Sequence, residues 1–485
     1  MILTKRFLAL TTALIAVMTI AGCGGKSDEN GNNDDPLESY EDKVEVASTE
    51  DIEGLVQDVS AIPEGADGTL RWLSYFDINP SRRVPEKRTD LTLFEEKGGK
   101  IEYESCSSIE KYEKLATELM ANNPPDMFWY EQKMTFPANC IKEMFQPVDD
   151  IVDFDSPLWS DVKSAADQYT LNGKHFVAPI SFGAISVLTY DKDVIEAAGL
   201  DDPYEMYING DWDWNAWYDM MTEYCQGAPE GEDRYGVNGW FAPFIFQSTG
   251  KTLISYDADK DEYVENLNDA DFQRASELLY NIKKNNMYYP EWVGQTSDAF
   301  KANILFYAMG PWASCDSHTP KDGDNWGMVP MPRDPNQDTL NCIVDTSAYM
   351  WVNGSTKNDA MKCWLECARI VHVQDEYIET ERKKFNETNP NWTDEMYQVA
   401  YEEVASGKFN IIVDPGYGIS TVLSDDDAAT NATLEAVIPY MYSSVMKEDE
   451  NGAQFTWTML REQYSGTITS ELKAFNDAYH AYTGK

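Results

Sequence analysis

The side chains best equipped for chemistry in this chain are flat rings: 14 Trp, 28 Tyr and 19 Phe, 13% of all residues, many of them beside turns instead of inside apolar runs. A flat ring offers an apolar face with a polar rim. That is the shape complement of a sugar ring, whose C–H faces stack while its hydroxyls need hydrogen-bonding partners at the edge. Groups for bond-breaking chemistry are sparser. Four histidines (His175, His318, His372, His480) leave imidazole general-base chemistry few candidates, and neither a Gly-x-Ser-x-Gly elbow nor a His-Glu-x-x-His zinc motif occurs. Asp257-Ala-Asp-Lys-Asp261 imitates the start of a calcium loop but has Glu262 where glycine is needed and Asn268 where the bidentate glutamate belongs, so it reads as a hairpin turn. No metal or cofactor is expected. Aromatic clefts with paired carboxylates also serve glycosidases, so an exported polysaccharide hydrolase is an alternative, although with 84 Asp and Glu any single pairing is uninformative.

The elements that must hold these rings begin near Thr69. Leu70–Ser74 reads as a buried strand, Asp90–Lys97 as a helix, Ile101–Glu104 as a second strand and Lys111–Asn122 as a helix with apolar positions at Leu115, Leu119 and Met120. Pro124-Pro125 stops that helix before a third strand, Met127–Trp129. This alternation is the signature of a parallel sheet covered by helices. Ligands of such sheets bind beyond the carboxyl ends of the strands. Tyr75 and Phe76 follow the first strand and Trp129 and Tyr130 end the third, so four rings stand where that rule places a site. Trp212, Trp214 and Trp217 follow a helix face and are expected to pack in a core.

The formal net charge of −46 argues against nucleic acid, because phosphate binding needs clustered Lys and Arg. Cys363 and Cys367, one helical turn apart in an apolar segment, read as small buried side chains. Upstream, Lys5 and Arg6 precede an apolar run from Phe7 to Ile20, too short for a comfortable bilayer span, and then Ala21-Gly22-Cys23. This resembles a bacterial lipoprotein signal. The resemblance implies removal of residues 1–22, acylation of Cys23 with palmitate-type chains, and a protein anchored on the extracytoplasmic face of the cell membrane. Residues 23–68, poor in aromatics and rich in Asp, Glu, Gly and Asn, read as an acidic, disordered tether.

Beyond residue 69 the motifs accumulate in order. They are Asn122-Asn-Pro-Pro-Asp-Met-Phe128, Phe176-Val-Ala-Pro179 with Val187-Leu-Thr-Tyr-Asp-Lys-Asp193, Asp211-Trp-Asp-Trp-Asn-Ala-Trp217, Phe300 to Trp312 ending Ala-Met-Gly-Pro-Trp, and Asn325-Trp-Gly-Met-Val-Pro-Met-Pro332 followed by Ala348–Val352. From about Leu70 to Gly484 the chain is similar to the extracellular solute-binding proteins of ABC importers, in particular the sugar-binding group that includes the maltodextrin-binding protein. The resemblance implies an α/β, two-lobed, periplasmic-binding-protein-like class II fold with a hinge and an interlobe ligand cleft. The first lobe would comprise 69–182 with a return segment of about 340–385. The second would comprise 183–339 with a C-terminal segment of about 386–485.

Carried over residue by residue, the resemblance makes Trp312 and Trp129 stacking rings, sets Trp240 near an aromatic of the second lobe and Tyr417 near a late aromatic, and puts Tyr75, Phe76, Asp77 and Tyr130 on the loops of the first lobe. Glu131 and Asp345 would accept from paired hydroxyls. The implied activity is capture of a carbohydrate, an oligosaccharide by preference, and its delivery by a monomer to the membrane permease, with no bond broken. A surface lipoprotein that binds a peptide or polymer is a further alternative. Two departures stand out: Gly183-Ala184 replaces an acidic residue of the crossover, and about Val373–Lys408 is extra, either a helical elaboration of the cleft rim or outer decoration.

Overall fold

The computed structural model describes residues 59–485 apart from 83, 84, 86, 132–134, 322 and 425–435. The export signal expected over 1–22, Cys23 and the tether as far as residue 58 lie outside the described residues. Among the described residues no helix is long and apolar enough to cross a membrane.

Strands β1 (Thr69–Ser74), β2 (Lys100–Ser105), β3 (Met127–Trp129), β4 (Phe145–Gln146) and β5 (Ala178–Phe182) come first, with helices α1 (Thr89–Glu96) and α2 (Lys111–Met120) between them. Then come β6 (Val187–Asp191), α3 (Trp214–Gln226), β7 (Tyr235–Gly239), α4 (Ala270–Lys284), β8 (Ile304–Met309) and β9 (Trp326–Pro330). The chain returns through β10 (Leu340–Cys342), β11 (Thr346–Val352), α5 (Asn358–Ile370), α6 (Asp375–Thr388) and β12 (Phe409–Ile411), and closes with α7 (Trp457–Thr483).

These strands make two main sheets and hence two lobes. The first has the order β2-β1-β3-β11-β4, with β5 also on β11; the second is β9-β6-β8-β7. Around β1 the pairing is parallel, as the alternation of strand and helix predicts, but β11 runs antiparallel to β3, β4 and β5. The reason is the route of the chain. It leaves the first sheet at Phe182 and re-enters at Thr346, which is paired with Phe182, so both crossings lie at one end of the sheet. That end is also the carboxyl end of β3, since Tyr349 pairs with Trp129 and Trp351 with Met127.

On the second sheet β6 begins at Val187, opposite Met309 of β8 and Pro330 of β9, while β7 runs parallel to β8. The carboxyl ends of β7 and β8 therefore face the crossing as well. Arg369, buried on α5, fixes this neighbourhood by donating to the carbonyls of Leu158 and Ile180 and pairing with Asp161.

Each sheet is covered on its own terms. Leu70, Trp72, Phe94, Met127, Tyr349 and Trp364 belong to a core under α1 and α5, which also buries Cys363 and Cys367 as expected. β8 (Ile-Leu-Phe-Tyr-Ala-Met) is buried at all six positions, as a central strand between two packed layers must be. Trp212, Trp214 and Trp217 are core residues, Trp212 donating to the carbonyl of Pro330 and Trp214 to Ser248 Oγ. Asp257–Asp261 is a hairpin turn between Ile254–Asp257 and Glu262–Glu265, with Asp257 accepting from the N–H groups of Asp259 and Lys260.

The extra segment is not outer decoration. Phe385, Trp392, Met396, Tyr397, Val399, Ala400, Phe409 and Ile411 form one buried cluster with Ile185, Val187, Trp326 and Met328 of the crossing and second sheet. Ile185 N–H donates to the carbonyl of Ala400 (3.1 Å), and β12 pairs with β10 just before the return into the first sheet.

Candidate functional site

On the second lobe three indoles gather beyond the carboxyl ends of β7 and β8. Gly239 ends β7 with φ 99°, and a β-carbon there would stand 2.1 Å from the carbonyl oxygen of Ala308, so only glycine lets the two strands close before the chain turns out. Trp240 follows directly, its N–H donating to that carbonyl (2.8 Å). Its ring is 5.7 Å from Trp292, the planes 35° apart, and 6.1 Å from Trp312 at 59°.

Trp312 sits on the short helical turn Pro311–Ser314. Buried hydroxyls anchor that turn, with Ser314 Oγ 2.6 Å from Thr296 Oγ1 and the latter 3.3 Å from Thr189 Oγ1. Trp392 Nε1–H donates to the carbonyl of Ser314 (2.8 Å), so the extra segment buttresses the turn that carries Trp312.

The first lobe presents a different surface. Trp129 meets Phe76 (5.7 Å), Trp72 (6.3 Å) and Tyr349 (5.1 Å) edge to face, and Phe76 meets Tyr75 (5.2 Å) in the same manner. Trp72 Nε1–H donates to the carbonyl of Phe76 (3.0 Å), which ties the loop after β1 to the core. Beside these rings Lys111, only 4% exposed, pairs with Glu131 and sets its ammonium 5.4 Å from the centre of the Tyr75 ring and 5.2 Å from that of Tyr112. Glu131 N–H and Tyr112 OH both meet Thr135 Oγ1. The result is a polar nest at the carboxyl ends of β1 and β3, with hydrogen-bonding edges beside ring surface.

The remaining expected residues are more scattered. Asp77 is exposed and accepts from the backbone and side-chain amides of Asn79. Asp345 is exposed at the crossing, and its carbonyl accepts from Gly183 N–H (2.7 Å). A carboxylate residue thus stands across from the crossover position that lacks one. Tyr417 is half-buried on the turn Pro415–Gly418, which packs on Thr135–Asn139 of the first lobe. At the head of that turn Asp414 is buried, and burial pushes its carboxyl up to about 7, with Gly416 N–H and the Tyr442 hydroxyl pulling the other way. Tyr130 is a correction: it is 3% exposed, its ring against Tyr169 (5.0 Å) and its hydroxyl pushed well up by burial, so it is core and offers a ligand no face.

Trp292 and Lys111 belong to these surfaces without having been singled out in the sequence. Trp292 lies in Tyr289-Pro-Glu-Trp-Val-Gly294, a ring beside a turn, which is the signal that could have found it. A surface concavity of about 700 Å³ between Pro229 and Asn303 includes Tyr235. It opens at the amino ends of β7 and β8, the wrong end for a site in such a sheet. Among the described residues no His, Cys, Asp and Glu cluster suits a metal ion.

Residues 84–368, more than half of the chain, match the family described as bacterial extracellular solute-binding protein. No curated protein matches. Among solved structures the chain resembles the sugar-binding protein MalE of Xanthomonas citri (TM-score 0.57, 16% identity, 84% of this chain and 98% of that one). It also resembles the galacto-N-biose-/lacto-N-biose I-binding protein of an ABC transporter from Bifidobacterium longum (0.54, 11%, 85% and 99%) and a sugar transporter protein from Rhizobium etli in an open conformation (0.53, 14%, 85% and 99%). The chain belongs to the bacterial extracellular solute-binding proteins, a family that binds its substrates instead of transforming them.

Proposed function

We propose that this extracellular solute-binding protein captures a carbohydrate, an oligosaccharide, in the cleft between its two lobes and delivers it to the permease of an ABC importer. One observation carries the reading: the indoles Trp240, Trp292 and Trp312 and the ring-and-ion-pair surface of Tyr75, Phe76, Trp129, Lys111 and Glu131 both stand at the strand ends that face the crossing. A sugar needs apolar faces and hydroxyl partners together. The indoles offer the first, and the carboxylates of Glu131, Asp77 and Asp345 the second. The fold shared with sugar-binding proteins of solved structure supports it.

In this reading the first lobe is 69–182 with about 340–385, and the second is 183–339 with about 386–485. Ligand favours the closed arrangement because both lobes then touch it, and only that differential affinity can shift the equilibrium. Cys23 carries acyl chains and holds the protein at the membrane as a monomer, with residues 24–68 as its leash.

The test is a thermal-shift screen of the full-length protein in detergent micelles against mono- and oligosaccharides, with amino acids and short peptides as controls. A ligand at 100 times its Kd adds about 2.7 kcal/mol. A rise with one sugar class is the expected result; a rise with peptides alone would overturn the substrate. For the anchor, Cys23→Ser should release the protein into the medium and abolish labelling by palmitate.

A further inference from the structure

Trp292 is an exposed tryptophan, 59% accessible, yet the backbone on both sides of it is held by buried side chains. Asn238, 1% exposed, spends both protons of its amide on this segment, donating to the carbonyls of Tyr289 and Glu291 (2.9 Å each). On the other side of Trp292 the fully buried Tyr307 donates its hydroxyl to the carbonyl of Val293 (2.7 Å). Tyr289 N–H adds a bond to the carbonyl of Val237 (3.0 Å), which lays the segment along β7 as a short extra edge. Two buried side chains thus pin the residues immediately before and after an indole that faces water.

An exposed aromatic on a mobile loop loses its ordering entropy when it binds. One whose backbone is already fixed does not, and a rigid indole also has few side-chain torsions to freeze. Trp292 adjoins Trp240, whose other neighbour is Trp312, so the indoles form a run of two steps of 5.7 and 6.1 Å, longer than one sugar ring. Trp312 and Trp240 are half-buried, and Trp292 is the outward end of the run.

We infer that Trp292 is a preorganised outer stacking platform that grips a further ring of an oligosaccharide, so that affinity rises with chain length. This rests on the carbohydrate reading above and goes beyond it. The site would be open at the Trp292 end and graded: the inner rings bind between Trp312 and the first lobe, and each added ring gains contact only if it reaches Trp292. Asn238 and Tyr307 are positioning residues that act through the backbone.

The experiment is titration calorimetry of the full-length protein in micelles and of Trp292→Ala and Trp292→Phe, with gluco-, galacto-, xylo- and manno-oligosaccharide series, each from disaccharide to hexasaccharide. Trp292→Ala should weaken the longer members of the bound series about tenfold, which is 1.4 kcal/mol. It should leave the disaccharide within twofold, and Trp292→Phe should restore most of the loss. Equal weakening at all lengths, or none at any length, would overturn the inference while leaving carbohydrate capture intact. Failure of the wild-type protein to bind any of the four series would overturn the carbohydrate reading and this inference with it. Unchanged melting temperatures of the variants exclude misfolding, as expected for an exposed side chain.

Discussion

The two lobes use aromatic rings in opposite ways. On the first, Trp129, Phe76 and Tyr75 are interlocked edge to face with each other and with Trp72 and Tyr349, so much of their surface is spent inside the lobe and what faces outward is rim and an ion pair. On the second, Trp240 meets Trp292 and Trp312 at shallower tilts, and Trp292 leaves ring area toward solvent. Under the carbohydrate reading proposed above, the contrast is a division of labour. Apolar area supplies most of the affinity for a stacked ring, whereas a fixed ion pair supplies direction, because its hydrogen-bonding positions are set before the ligand arrives.

Four substitutions put that contrast to the test. The largest effect is expected at the joint between the lobes, at Asp414. Its folded pKa of about 7 lies above the ordinary carboxyl value near 3.9, so the folded state keeps a proton that the unfolded chain has lost. Stability from this group is full below about pH 4 and falls as pH rises to about 7, and Asp414→Asn removes the loss, gaining up to about 4 kcal/mol at pH 8 and little at pH 4. Urea unfolding of both proteins across that range measures it. A difference that does not change with pH would show that the turn bearing Tyr417 is indifferent to the charge.

Next in size is the first lobe's ion pair. Lys111→Met leaves Glu131 without its cation and should cost about 3 kcal/mol of stability, most of it recovered in Lys111→Met/Glu131→Leu. A loss below about 1 kcal/mol would mean the pair behaves as a surface bridge and gives no fixed direction.

On the second lobe, Trp312→Ala should raise the ligand's Kd roughly 30-fold, about 2 kcal/mol, with unchanged melting of the ligand-free protein. Full retained affinity would overturn the division of labour. The smallest change is Trp392→Phe, which keeps an aromatic six-membered ring but deletes the indole N–H that bonds to the carbonyl of Ser314. It should cost about 1 kcal/mol of stability and weaken ligand a few-fold through Trp312.

The first five elements were legible because each is local. Apolar runs bounded by Gly98-Gly99 and by Pro124-Pro125 place β1, α1, β2, α2 and β3 to within two residues. The antiparallel β11 was not legible as a neighbour of β3, since its partner lies more than two hundred residues away and pairing is set by the route of the chain. Trp129 and Tyr130 show the limit of reading a site from adjacency. Successive strand residues point to opposite faces, and at the end of β3 this puts Trp129 with the first core and Tyr130 into the other. Trp292 escaped notice because what makes it special, Asn238 and Tyr307, is contributed by other strands. The reach of Trp392 to Ser314 is likewise a contact of distant residues, and no local pattern announces it.

Helix α6 has a consequence of a mechanical kind. Its first turns carry Tyr377, packed on the core of the first sheet, and its last turn carries Phe385, buried in the cluster on the second. At about 1.5 Å per residue the helix is a rod roughly 21 Å long with one end set in each lobe. Such a strut cannot shorten. The closure proposed above would therefore have to be taken up at residues 371–374 or by Tyr377 releasing its contact with the first core, which would give the swing of the lobes a stop set by a helix that touches neither ring surface.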